Sequence, residues 1–145
     1  MSNALHQPLS TVLADTYALY LKTQNFHWHV RGMEFASLHA LFETQYTDLA
    51  TAVDDIAERI IILNGKAPAT FTALNKLSSI EDGDSHAAAK VMVTTLAADQ
   101  DKVIATLNAA LKVAQEHDDE GSMALLSDRI SVHEKARWML SASAA

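Results

Sequence analysis

FHWHVRGMEFASLHALFE, residues 26–43, sets three histidines around a single glycine. Apolar residues recur at helical spacing on both sides of Gly32, and glycine ends helices because it enters left-handed backbone without steric cost. The stretch reads as the corner between two helices. A reversal there brings His27 and His39, five and seven positions either side of Gly32, to about the same level. His29 points about 200° away from His27 on the same helix and is the weakest ligand candidate of the three.

Working outward, Pro8 fits the first turn of a helix running through Leu9, Val12, Leu13, Tyr17, Tyr20 and Leu21 to near Arg31. A second helix begins near Met33 and keeps an apolar stripe at Leu38, Leu41, Phe42, Leu49, Val53, Ile56, Ile60 and Leu63 until Asn64-Gly65 stops it. The segment from Gly65 to Asp84 is a crossover, with one short helix expected over Phe71 to Leu77. Asp84-Ser85 is the expected cap of a third helix carrying Val91, Met92, Leu96, Val103, Ile104, Leu107 and Leu111. That helix fades at His117-Asp118-Asp119-Glu120, and a fourth follows Gly121-Ser122 from Met123 through Leu126, Ile130 and Trp138. The pattern predicts an all-α, single-domain chain over 1–145, a four-helix bundle whose one long crossover is the connectivity of ferritin-like folds.

The bulk numbers narrow the chemistry. None of the 145 residues is cysteine, so disulfides, thiolate ligands and cysteine nucleophiles are excluded, leaving histidine and carboxylate as strong ligands. The N-terminal stretch MSNALHQPLSTVLAD has neither the basic region nor the apolar run of a secretory leader, and no later run approaches a membrane span. A soluble, cytoplasmic protein is the expectation. The formal charge of −7, with no Lys or Arg before Lys22 or after Arg137, disfavours phosphate backbones as partners. It suits cations, although many soluble proteins are mildly acidic for solubility alone.

On the second helix His39 and Glu43 are spaced i, i+4, and so are Asp54 and Glu58. At about 100° per residue, with His39 at zero, Glu43 falls near 40°, Asp54 near 60° and Glu58 near 100°, whereas the core stripe centres near 270°. All four share a face turned from the core. His39 and Asp54 are nevertheless roughly 22 Å apart along the helix, whereas a ligand lies about 2 Å from its metal. The chain therefore carries two incomplete half-sites. If two copies of this helix pack antiparallel about a two-fold axis at the level of Asp48 and Leu49, His39 and Glu43 of one chain meet Asp54 and Glu58 of the other. Ala50 and Ala57 permit close approach, and His27 joins His39. Taken singly, each of these residues also reads as an ordinary surface or capping group. Trp28 and Tyr46 fit either core or interface packing, or oxidisable neighbours of a redox metal.

The segments NFHWHVRG (25–32), SLHALFE (37–43) and AVDDIAERI (52–60) resemble the DNA-binding proteins from starved cells, the Dps proteins or mini-ferritins, with compatible helix lengths along nearly the whole chain. The resemblance implies a hollow homododecamer that stores iron and protects against oxidative damage, oxidising Fe2+ to Fe3+ between two-fold related subunits, preferably with H2O2 rather than O2. By matching position it implies His27 and His39 of one subunit, with Asp54 and Glu58 of its partner, as ferroxidase ligands. It further implies Glu43 as an acid assisting a second iron or mineral nucleation, and Trp28 as the aromatic beside the site. Asp118, Asp119 and Glu120, with Asp128 one turn deeper, resemble the lining of the family's acidic pores, a looser match that also reads as a solvated charge run. The sequence contains no Glu-x-x-His, the signature of a di-iron site within one bundle. Imidazole and carboxylate ligands bind Zn2+ at least as well as Fe2+, so a zinc-stabilised oligomer without redox chemistry uses the same residues. The ligands must be deprotonated, so binding weakens as pH falls through the histidine range. DNA binding is the remaining alternative, opposed here by the charge.

Overall fold

The computed structural model describes residues 3–145; the first two residues of the N-terminal stretch lie outside it. Five helices follow one another without a strand among the described residues: α1 (Asn3–His29), α2 (Phe35–Ile62), α3 (Phe71–Leu77), α4 (Ala89–Glu116) and α5 (Glu120–Ala144). The four long ones form the bundle, α1 packing along α2 and α4, and α4 along α5, while α3 lies against α1 in the crossover. The core is the set of apolar stripes turned inward, including Leu9, Val12, Leu19 and Phe26 from α1, Phe42, Ile56 and Ile60 from α2, Met92, Leu96 and Leu107 from α4, and Leu126 and Leu140 from α5. This is the all-α ferritin-like architecture expected, with the short crossover helix at the expected residues.

The ends of the elements are set by local hydrogen bonding. α1 stops at His29, earlier than Arg31, and α2 starts at Phe35 rather than Met33, because the corner itself occupies the residues around Gly32, at φ +113°. α2 ends where Asn64 turns to φ +64° and the Gly65 N–H bonds back to the Ile60 carbonyl at 2.9 Å. Thr70 caps α3, its hydroxyl oxygen accepting from the Ala73 N–H. Asp84 and Ser85 do not cap α4, which begins only at Ala89. Asp84 closes a local turn instead, accepting from the His86 N–H, and Ser85 donates to Asn25 on α1. The last helix begins at Glu120, ahead of the expected Met123, because Asp119 caps it by accepting from the Ser122 N–H.

Two buried polar clusters tie the crossover and the helices together. Asp15, fully buried on α1, accepts from the Ser79 N–H at 2.7 Å, the Thr106 hydroxyl at 2.7 Å and the Ser78 hydroxyl at 3.0 Å. Lys22 on α1 pairs with Asp99 on α4 at 2.8 Å. Both satisfy charge that the core would otherwise leave stranded. No helix among the described residues is long and apolar enough to cross a membrane.

Candidate metal centre

The corner at Gly32 brings the last turn of α1 against the first turns of α2. His27 and His39 stack there, ring centroids 3.7 Å apart and planes 16° from parallel. The His27 Nδ1–H donates to the carbonyl of His39 at 2.7 Å, and the His39 Nδ1–H donates to the carbonyl of His27 at 2.8 Å. A carbonyl only accepts, so each ring carries its proton on Nδ1 and leaves the Nε2 lone pair free. The partner for His39 exists because carbonyls in the last turn of a helix lack an intrahelical donor.

Glu43 completes the cluster one turn along α2. Its carboxylate lies 3.9 Å from His27 Nε2, and one ligand atom from each of His27, His39 and Glu43 falls within 4.8 Å of the other two. The site is graded in exposure: the His27 side chain is 8% exposed and Glu43 58%. Phe35 stacks on the other face of His39 with centroids 4.9 Å apart, and Tyr46 sets its edge against His27 at 5.1 Å. The imidazoles are thus fixed in plane and tautomer before any ligand arrives, as metal-binding histidines require.

Asp54 and Glu58 are exposed further along α2 and are not part of this cluster. His39, Glu43, Asp54 and Glu58 all avoid the core, as the angular count predicts, and the structure joins only the first two of them with His27. Trp28 is 57% exposed and sets its ring against His29 rather than the stacked pair. The His29 Nδ1–H is bound to Asn25. The aromatic neighbours of the pair in this chain are therefore Phe35 and Tyr46. Tyr46 was legible as an ambiguous aromatic; Phe35 was hidden in the apolar run at the head of α2.

The acidic run near α5 divides. Asp118, Glu120 and Asp128 are exposed, but Asp119 is occupied: its carboxylate receives Arg59 Nη2 at 2.7 Å and the Ser122 hydroxyl at 2.9 Å. Burial alone pushes the Asp119 carboxyl up, and the hydrogen bonds from Ser122 together with the Arg59 guanidinium outweigh it, leaving the group below its usual range. Asp119 is a helix cap and ion-pair partner, which removes it from a freely charged pore lining. His133 is likewise spoken for. Its Nδ1–H donates to Gln100 at 2.7 Å and its Nε2 accepts from Arg129 at 3.1 Å, while Arg129 also pairs with Asp48. Both nitrogens are used inside the bundle, so His133 offers no accessory metal site. Its buried position, with the Arg129 charge beside it, pushes its pKa down to about 3.

A four-helix bundle with one long crossover has the connectivity of ferritin-like proteins, and the comparisons agree. The model of the ferritin-like domain family matches residues 7–144. DNA protection during starvation protein 2 of Bacillus anthracis is 37% identical over 98% of this chain and 97% of its own length. General stress protein 20U of Bacillus subtilis is 34% identical over 98% of both chains. Among solved structures, a Dps protein from Bacillus brevis superposes with a TM-score of 0.96 at 33% identity, covering 99% of this chain and 97% of that one. The Dps protein of Vibrio cholerae O1, described as a member of a broad superfamily of ferritin-like diiron-carboxylate proteins, gives 0.95 at 33% identity, covering 99% and 91%. The chain belongs to the ferritin-like family, as a Dps-type mini-ferritin.

Proposed function

We propose that this protein oxidises Fe2+ at sites shared between two subunits and stores the ferric product inside a twelve-subunit cage. The observation that carries this reading is the half-site itself. Two imidazoles are locked by each other's main chain with both Nε2 atoms free, one carboxylate stands beside them, and the next acids on that helix face are too distant to join. An antiparallel copy of α2 supplies Asp54 and Glu58 to that place. His27, His39, Asp54 and Glu58 are then the iron ligands, and Glu43 holds a second iron or the first mineral.

Hydrogen peroxide is the oxidant this arrangement suits. Two ferrous ions give one electron each, and with two protons they reduce one peroxide to two waters, which avoids the one-electron step that releases hydroxyl radical. Iron is substrate and cargo here. Protection of DNA, which the names of relatives carry, follows from removing iron and peroxide together. It requires no contact with DNA, and the charge of −7 per chain opposes such contact at ordinary salt. Zn2+ competes for the same ligands.

The test is ferric absorbance after anaerobic loading with Fe2+ and addition of half an equivalent of H2O2. Prompt, complete oxidation without trapped radicals is expected, with loss of both tight binding and rapid turnover in His27→Ala/His39→Ala. Oxidation no faster than a protein-free control would leave a zinc-stabilised assembly as the better reading.

A further inference from the structure

Three tyrosines continue away from the histidine pair. Tyr46 meets His27 edge-on at 5.1 Å, Tyr20 lies 6.1 Å from Tyr46 between ring centroids, and Tyr17 lies 6.0 Å from Tyr20. Tyr46 and Tyr20 are half-buried, and Tyr17 is 37% exposed. The row crosses from α2 to α1 and ends ten positions before His27, roughly 15 Å away along the helix. Packing alone accounts for aromatic contacts of this kind. It does not require phenols, which with indole are the readily oxidised rings among side chains, at all three positions in unbroken sequence from a proposed iron site to the surface. We propose that Tyr46, Tyr20 and Tyr17 form a redox relay that lets a site holding a single iron reduce peroxide by two electrons.

The relay rests on the iron-oxidising reading above. One ferrous ion gives one electron and the Tyr46 phenol gives the second together with its proton. With one further proton from water, one hydrogen peroxide becomes two waters, leaving ferric iron and a Tyr46 phenoxyl radical. That radical takes an electron and a proton from Tyr20, and Tyr20 takes them from Tyr17. A second ferrous ion in solution then reduces the Tyr17 radical, which recovers its proton from water. The sum is again two ferrous ions per peroxide, with the second never needing to occupy the site. No hydroxyl radical leaves the protein.

The assembled protein, loaded anaerobically with less than one Fe2+ per site, is mixed with H2O2 and frozen for electron paramagnetic resonance, while parallel samples are digested for mass spectrometry. With ring-deuterated tyrosine incorporated, the wild type is expected to give a tyrosyl signal that disappears on adding more Fe2+, and oxidation products on Tyr17. Tyr20→Phe keeps the ring packing and removes the middle phenol. It should confine the signal to Tyr46 and lose the Tyr17 products while ferric iron still forms. Ferric absorbance without a tyrosyl signal, or Tyr17 products undiminished in Tyr20→Phe, would overturn the relay alone. No ferric absorbance above the protein-free control would overturn the iron-oxidising reading and the relay with it.

Discussion

His133 and Glu43 show how differently two polar side chains of one bundle are used. His133 is neutral in the fold, with its Nε2 accepting from Arg129, so protonation must break that bond and set an imidazolium against the guanidinium. Its folded pKa of about 3 lies below the ordinary 6.5, so the unfolded chain binds the proton more readily between those values. The stability it contributes is therefore full above about pH 6.5 and is lost as pH falls toward 3, by at most about 5 kcal/mol. Urea midpoints measured across this range should decline with falling pH in the wild type and decline less steeply in His133→Gln, which starts from a lower value. Glu43 is open to solvent and contributes to no core contact. Glu43→Gln is expected to leave the melting temperature nearly unchanged while weakening Co2+ or Fe2+ binding by at least about tenfold, since losing even an outer hydrogen-bonding partner of metal ligands costs about tenfold to 100-fold. Calorimetric titration beside a thermal melt separates the two effects.

At the scale of elements, the corner and the caps carry the weight. Gly32 sits at φ +113° with open space around it, so an added Cβ meets no neighbour and the cost is purely one of backbone conformation. Gly32→Ala should cost about 1–3 kcal/mol and, by shifting α1 against α2, lengthen the two histidine-to-carbonyl bonds. Loss of metal affinity beyond what the lower stability explains is the sign to look for. Asp119→Ala removes the cap of α5 and strands the Arg59 guanidinium, and about 1–2 kcal/mol of stability should go with it, read as a drop in the denaturation midpoint. Because its carboxyl lies below the usual range, that contribution is present above about pH 4 and fades as pH falls further. The periodic stripes made the four long helices and the crossover helix legible in the sequence. Their ends were less so, since Asp84 and Asp119 are equally good caps on paper and only Asp119 takes that role. The difference lies in partners far along the chain, Arg59 for one and Asn25 beside Ser85 for the other, which a local pattern does not hold.

At the scale of the whole molecule, the proposed sites exist only where chains meet. A chain carrying His27→Ala/His39→Ala and a chain carrying Asp54→Asn/Glu58→Gln should each form no tight site alone. Coassembled in equal amounts, they should regain about a quarter of the wild-type sites, since half of the two-fold pairs are mixed and each mixed pair has one intact site of two. Metal titration of the hybrid checks this, and no recovery would place all ligands within one subunit. The histidine half of the site was readable because Gly32 fixes the level of both rings. The contact between Tyr20 and Tyr46 across the same corner was not read from the sequence, where Tyr20 counted only as one more apolar position of the first helix. The reciprocal hydrogen bonds were not legible either, because a main-chain acceptor leaves no trace in residue identity. That invisibility has an evolutionary side. Proton positions on the two rings are dictated by carbonyls that every amino acid possesses, so neighbouring side chains can drift without altering which nitrogens face the metal.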